Sequence, residues 1–209
     1  MSQRLIYVMD PMCSWCWGFA PVIEQIVQAG EVPVHLVAGG LRSAREPLDT
    51  ATRDALNEHW IAVADVSGQP FTSIDALPAD FCYNTTPACR ALVTARGLDA
   101  KKVWPLVQAM QSAFYARAED ITVTSTLVAL AESAGYKAQR FAEAYDAEAS
   151  LAGLASDINW VGDLGISGFP TLLAERNGQL ALLANGYQPP EAVQSLLERW
   201  LAAGAKQAV

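Results

Sequence analysis

Short apolar runs near both ends of the chain predict β-strands. Residues 4–9 form a compact run with β-branched and aromatic members, and residues 32–38 form a second run rich in β-branched residues. In the last third, residues 171–175 and 180–184 are joined through Asn177-Gly178, which is a typical hairpin signal. The sequence therefore predicts two strands at each end of the chain.

Helical spacing of apolar residues fills most of the remaining chain. It begins at Cys13 and stops near Gly30, with Pro21 inside, where a proline is expected to kink the axis. A long block rich in Ala, Leu, Glu and Gln then shows apolar residues at three- and four-residue intervals, and predicts helices at about 50–65, 86–97, 100–116, 123–135 and 138–147. A last amphipathic helix runs from Pro190 to about Ala203. The predicted class is α/β, in the order β-α-β, helical block, β-β-α, with a parallel crossover in the first unit.

The charge balance excludes some classes of partner. Twenty-two acidic and fourteen basic residues give a net charge of -8, and the chain contains no basic run that could neutralise a row of phosphates. Neither nucleic acid nor an anionic membrane surface is expected as a partner. Because no apolar stretch reaches the roughly 18 residues of a membrane helix and the start lacks a secretory pattern, we predict a cytoplasmic protein. A mature exported protein to which Met1 had been added would begin in the same way.

The candidate chemistry lies in the Cys13-Ser14-Trp15-Cys16 motif, where a strand passes into a helix. Free N–H groups and the positive end of the helix dipole favour a thiolate at such a position, and they lower a cysteine pKa from about 8.5 to roughly 3.5–7.5. Cys13 is the better placed of the two and is predicted to be the nucleophile. Ser14 is expected to tune it through a hydroxyl hydrogen bond, and Trp15 offers apolar area to a substrate.

A structural role for the two cysteines is the alternative. They could form half of a metal site or be plain buried residues, but a zinc site needs about four ligands. The remaining cysteines, Cys82 and Cys89, have a different spacing, and the two histidines are isolated in the sequence. We therefore predict no metal. His35 is expected in the core or at a sheet edge, and His59 on the surface of a helix.

These motifs and Gly168-Phe169-Pro170-Thr171 before the hairpin resemble, over nearly the whole chain, the DsbA-type branch of the thioredoxin superfamily. The resemblance implies a thioredoxin-like βαβ and ββα core in residues 1–44 and 153–209, with an inserted all-helical domain in residues 45–152. It also implies that Pro170 is cis and faces the cysteine pair, and that Phe169 offers its backbone to a substrate strand. A trans proline that opens a strand is the alternative.

Within that branch, residues 10–19 resemble cytosolic DsbA-like proteins related to FrnE and predicted protein disulfide isomerases. The resemblance implies a thiol-disulfide oxidoreductase acting on protein or small-molecule disulfides, with no cofactor and with glutathione as a candidate electron partner. The exported oxidant carries His between its cysteines. The absence of that histidine here argues against a strong oxidant. The fold also resembles kappa-class glutathione transferases and 2-hydroxychromene-2-carboxylate isomerases, which usually have Ser at the position of Cys13. A third hypothesis is that the chain is a non-catalytic adaptor with the same fold.

Three further side chains have open roles. Asp10 is either the end of a strand or a buried carboxylate that tunes the pair by taking a proton from Cys16. Cys89 is expected in the first turn of a helix, which would activate it. With Cys82 it would then form a second redox pair, although two free buried cysteines are the favoured interpretation.

Overall fold

A four-stranded mixed sheet forms the centre of the computed structural model, which describes residues 3–206. The strands are β1 (Gln3–Met9), β2 (Val34–Ala38), β3 (Thr171–Arg176) and β4 (Gln179–Asn185). Their order across the sheet is β2-β1-β3-β4, with β1 parallel to β2 and antiparallel to β3. The predicted parallel crossover and the hairpin are therefore both present.

Helices make up most of the remaining described chain. Their bounds are α1 (Ser14–Ala29), α2 (Thr50–Ser67), α3 (Thr86–Leu98), α4 (Val103–Gln111), α5 (Thr124–Ser133), α6 (Ala138–Asp146), α7 (Glu148–Asp163) and α8 (Pro190–Lys206). A π-helical turn, Ser112–Ala116, extends α4. The predicted α/β class, a thioredoxin-like core with an inserted helical block, is confirmed.

Helix α7 was not predicted, and it crosses the segment boundary placed between residues 152 and 153. Its buried positions, such as Leu154 and Val161, follow helical spacing, but exposed Leu151 and Ile158 blur the apolar face. The ends of the predicted thioredoxin-like segments, residues 1–2 and 207–209, lie outside the described residues.

The two faces of the sheet carry different cores. Leu5, Tyr7 and Met9 of β1 point into the large core shared with α1 and the helical block, whereas Ile6 and Val8 point to a small cluster on the other face. This alternation follows from the two-residue period of a strand. β1 is therefore buried on both faces, because each face is covered by one of these clusters. The loop after it leads into the cysteine motif.

Among the helices of residues 3–206, none is both long enough and apolar enough to span a membrane.

Candidate active site

The cysteine motif lies at the start of α1. Cys13 is the N-cap residue, with an extended backbone (φ -93°, ψ 118°), and its carbonyl accepts the N–H of Trp17 at 3.0 Å. Cys16 lies in the first turn of the same helix. Cys13 retains 6% of its surface and Cys16 none, and both are free thiols. A substrate sulfur therefore has access only to Cys13.

The loop before β3 faces Cys13 from the opposite side. The Phe169–Pro170 peptide bond is cis, and the Cys13 thiol donates to the Phe169 carbonyl oxygen at an S···O distance of 3.6 Å. The Pro170 carbonyl accepts the Gly186 N–H at 2.8 Å, which fixes the loop to the end of the hairpin. The backbone carbonyl of Phe169 thus meets the nucleophile.

The ring of Phe169 is partly buried between two apolar clusters. It packs against both the large core and the small cluster, and it covers Gly39, which directly follows β2. A Cβ atom at Gly39 would lie 2.2 Å from Cζ of that ring, so only glycine fits there. The ring therefore anchors the loop. The predicted substrate contact at Phe169 is one that its backbone would make.

Burial separates the second cysteine chemically from the first. Desolvation, followed by the hydrogen bond to Cys13, raises the pKa of Cys16 well above its usual value. A thiol in this environment remains protonated until a base removes the proton or the pair is oxidised. Such a group suits the resolving role better than the attacking one.

Asp10 is a buried carboxyl group and not only the end of a strand. Its two oxygens accept the N–H groups of Met12 at 2.8 Å and Leu41 at 2.7 Å, and also the thiol of Cys89 at 3.2 Å. Burial raises its pKa in spite of these hydrogen bonds. The carboxyl group therefore ties together the loop after β1, the segment at Leu41 and helix α3. The main-chain carbonyl of Asp10 separately accepts the N–H of Cys13.

The expected activation of Cys89 is wrong. Cys89 does lie in the first turn of α3, but it is fully buried, and desolvation followed by the charge of Asp10 raises its pKa well above normal. Desolvation therefore outweighs the helix start at this position. Cys82 donates instead to the Ala44 carbonyl at 3.1 Å, so the two thiols have separate partners and are both free.

A histidine reaches the motif from the helical block, which the sequence did not reveal. Nε2 of His59 on α2 lies 3.0 Å from Oγ of Ser14, and its ring meets the Trp15 ring edge-on at 6.1 Å. Tyr187, after β4, packs against the same tryptophan at 5.7 Å. The expectation of an ordinary surface residue is therefore incomplete for His59, because its exposed ring also contacts two residues of the motif. His35 lies on β2, an edge strand, as expected.

A shell of buried tyrosines supports the turn that carries Cys13. The Tyr83 hydroxyl donates to the Met12 carbonyl at 2.6 Å. The Tyr115 hydroxyl lies 3.5 Å from the Tyr83 hydroxyl. Burial raises the pKa of both phenols. They therefore act as neutral hydrogen-bonding groups that fix the backbone before the nucleophile.

Within residues 3–206, His, Cys, Asp and Glu side chains form no group of three or more that could hold a metal ion.

Comparison with known families agrees with this geometry. The sequence profile of the DsbA-like thioredoxin domain matches residues 4–198. The chain belongs to this family. DsbA-like proteins are thiol-disulfide oxidoreductases, so the match places the chain in a redox family. Among curated proteins, no sequence matches significantly.

Solved structures give more specific similarities. A "putative protein disulfide isomerase" from Nitrosomonas europaea is 38% identical and superposes with a TM-score of 0.89, covering 97% of this chain and 99% of that one. The cytosolic disulfide reductase DsbM from Pseudomonas aeruginosa is 28% identical, with a TM-score of 0.81 and coverages of 96% and 99%. The same reductase has also been solved with GSH, at 27% identity and a TM-score of 0.80, with coverages of 95% and 99%.

A 2-hydroxychromene-2-carboxylate isomerase shares the fold of this DsbA-like chain at 14% identity. Its TM-score is 0.69, and the superposition covers 98% of each chain. At this identity the similarity concerns the fold alone.

Proposed function

We propose that this DsbA-like protein is a thiol-disulfide oxidoreductase in which Cys13 attacks and Cys16 resolves. One observation carries the proposal: a slightly exposed cysteine at a helix start lies beside a fully buried one and opposite the backbone of the Phe169–Pro170 loop. The substrates are protein or low-molecular-weight disulfides. A cytosolic setting and glutathione as electron partner are supported by the similarity to a cytosolic reductase solved with GSH.

The reaction balances without a cofactor. The Cys13 thiolate attacks one sulfur of the substrate disulfide, that S–S bond breaks, and the departing sulfur takes a proton. Cys16 then loses its proton and attacks the Cys13 sulfur of the mixed disulfide, which releases the second substrate thiol. The substrate gains two electrons and the protein retains the Cys13–Cys16 disulfide. Two glutathione molecules reverse that change and leave as glutathione disulfide.

Asp10 is proposed as the group that receives the proton of Cys16. Burial raises the pKa of this carboxyl group, so it is a stronger base than an exposed aspartate. Its charge also opposes a negative charge on Cys16. Transfer of the proton to Asp10 would remove that opposition at the moment when the sulfur attacks.

Reduction is the proposed direction at neutral pH. In the reduced form, desolvation raises the pKa of Cys16 well above its usual value, so this thiol stays protonated and its ionisation does not stabilise the dithiol. A dithiol that lacks this stabilisation holds its electrons more weakly. We therefore expect a reduction potential nearer the roughly -270 mV of thioredoxin than the roughly -120 mV of a strong oxidant.

The test measures this potential and then removes the resolving sulfur. The protein is equilibrated in graded glutathione or dithiothreitol buffers, and free thiols are trapped and counted by mass spectrometry. Cys16→Ser should lose turnover and accumulate a glutathione adduct on Cys13, because the resolving thiol is missing. Cys82→Ser is the matched control and should retain both potential and turnover, since its thiol donates its hydrogen bond to the Ala44 carbonyl.

Two results would overturn the proposal. If the native protein forms no Cys13–Cys16 disulfide at any buffer potential, the exchange mechanism is wrong. If Cys16→Ser keeps its activity towards a glutathione-dependent substrate, the protein is a transferase or isomerase that uses Cys13 alone.

A further inference from the structure

A buried phenol on β1 lies against the helix that carries the cysteine motif. Tyr7 has no exposed surface, and its side chain points into the large core that β1 shares with α1. Its ring packs against the ring of Phe19 at 6.1 Å and against that of Trp104 at 6.4 Å. Phe19 follows Cys16 by three residues on α1, so these two side chains share one face of the helix. The phenol therefore faces the buried side of the motif.

The hydroxyl group of Tyr7 has no partner in the reduced protein. Within residues 3–206, no group meets the geometry of a hydrogen bond to it. An unpaired buried hydroxyl costs stability, so such atoms are rare in native proteins. The hydroxyls of Tyr83 and Tyr136, in contrast, donate to main-chain carbonyls. Tyr7 thus keeps a buried donor that the resting structure does not use.

The Cys16 sulfur is a neighbour of this unused donor. Burial raises the pKa of Tyr7 well above its usual value, and the charges of Cys16 and Cys13 and hydrogen bonding with Cys16 raise it further. The phenol therefore keeps its proton and remains a donor. A neutral thiol accepts hydrogen bonds weakly, whereas a thiolate accepts them strongly. We expect the hydroxyl to turn to Cys16 when that thiol loses its proton.

We propose that the Tyr7 hydroxyl donates a hydrogen bond to the Cys16 thiolate and thereby accelerates the resolution of the mixed disulfide. The inference rests on the proposed exchange function. Cys16 gives its proton to Asp10, the proposed base, and its sulfur attacks the Cys13 sulfur. The bond from Cys13 to the substrate breaks, and the substrate sulfur leaves with the electron pair. Tyr7 keeps its own proton throughout, so the balance of the exchange is unchanged.

The donor acts only while the sulfur of Cys16 is charged. This sulfur is a neutral thiol before resolution and part of a neutral disulfide afterwards, and neither form binds the hydroxyl strongly. An interaction that is stronger near the transition state than in the ground state raises the rate of that step. A hydroxyl that is held in place and has no other partner suits this role.

The size of the effect follows from the strength of a hydrogen bond to a charged group. Such a bond lowers the pKa of its acceptor by about one to two units. The nucleophilicity of a thiolate falls as its pKa falls, with a slope of about 0.4–0.5, so roughly half of this gain remains in the rate of attack. Removal of the hydroxyl should therefore slow resolution about four- to twentyfold.

The test compares Tyr7→Phe with the native, full-length protein in a single turnover. Reduced protein is mixed with glutathione disulfide at a concentration at which the adduct on Cys13 forms faster than it decays. The reaction is quenched with acid, and the adduct and the Cys13–Cys16 disulfide are counted by mass spectrometry. The adduct should form at the native rate, because Cys13 performs that step, and should decay about four- to twentyfold more slowly. Tyr136→Phe is the matched control and should resolve at the native rate.

Stability separates this role from a structural one. Tyr7→Phe removes a hydroxyl that makes no hydrogen bond, so the urea midpoint of the reduced protein should stay the same or rise. Tyr136→Phe removes hydrogen bonds to the carbonyls of Ala95 and Asp99 and should lower the midpoint. A purely structural phenol at Tyr7 would give the opposite result, with lost stability and native resolution.

A second variant locates the effect on the correct sulfur. In the Cys16→Ser background the adduct cannot resolve, so the rate of its formation depends on Cys13 alone. Adding Tyr7→Phe to this background should leave that rate unchanged.

The inference is overturned if Tyr7→Phe resolves the adduct at the native rate or clearly destabilises the reduced protein. It is also overturned if adduct formation in the Cys16→Ser background slows as much as resolution does. These outcomes differ from a failure of the proposed function, in which the native protein itself forms no Cys13–Cys16 disulfide.

Discussion

Replacing Gly39 with alanine tests whether the anchored Phe169 ring positions the nucleophile. The new Cβ would lie 2.2 Å from Cζ and 2.4 Å from Cε1 of that ring, whereas carbon atoms normally approach to about 3.5 Å. The ring must therefore move by about 1.3 Å, the difference between these distances. Overpacking of this kind costs roughly 1–3 kcal/mol of folding free energy.

The same shift should reach the chemistry, because Phe169 also provides the carbonyl that lies 3.6 Å from the Cys13 sulfur. A misplacement of about 1 Å near reacting groups can cost on the order of a hundredfold in rate. We expect Gly39→Ala to lower the urea midpoint and to reduce kcat/KM for a disulfide substrate by about ten- to a hundredfold. Gly97→Ala on α3 is the matched control, since its Cβ would meet nothing within 4 Å. It should be neutral or slightly stabilising.

The double variant Gly39→Ala with Phe169→Ala separates the clash from other effects. Removal of the ring also removes the clash, so the two substitutions should be strongly non-additive in the free energy of unfolding. A Gly39→Ala protein with native stability and native turnover would show that the ring does not anchor the loop, and the reasoning would fail.

Two other predictions concern buried charges. Because burial raises the pKa of Asp10, its contribution to stability is intact below the unfolded value of about 4 and is lost as pH rises through the folded value. The urea stability of Asp10→Asn relative to the native protein should therefore increase between pH 4 and pH 7, and a pH-independent difference would contradict this. Asp157 pairs with Arg96 at 2.8 Å and accepts the N–H of Ala38, so Asp157→Ala should lower the free energy of unfolding by about 3 kcal/mol. The control Glu175→Gln breaks a more exposed pair with Arg4 and should cost less than about 1 kcal/mol by the same denaturation assay.

Local patterns were sufficient to predict the strands and most of the helices. Short apolar runs predicted all four strands to within about two residues, and Asn177-Gly178 marked the hairpin. The start of α1 followed from the position of Cys13 after a strand. Helix α7 was missed because its exposed leucine and isoleucine weaken the periodic signal on which such predictions depend.

The predictions failed where two distant segments meet. His59 and Ser14 are separated by 45 residues, and Gly39 and Phe169 by a longer stretch, so no spacing in the sequence reports either contact. The sequence also did not predict the burial of Cys89. Its position at a helix start can be predicted from the local sequence, but the desolvation that raises its pKa comes from tertiary packing. A histidine one residue before the buried Trp60 is the only local hint that His59 lies near the core boundary.

The opposite environments of the two cysteines explain how one helix turn produces directional chemistry. Both thiols belong to α1, but only Cys13 lies at its start, where free N–H groups favour a thiolate. Cys16 lies in the first turn with no exposed surface, and desolvation keeps it protonated. Attack on a substrate therefore falls to Cys13, the sulfur that a substrate can reach. Cys16 can resolve the mixed disulfide only after a base removes its proton. If Asp10 is that base, as proposed, it controls the rate of turnover.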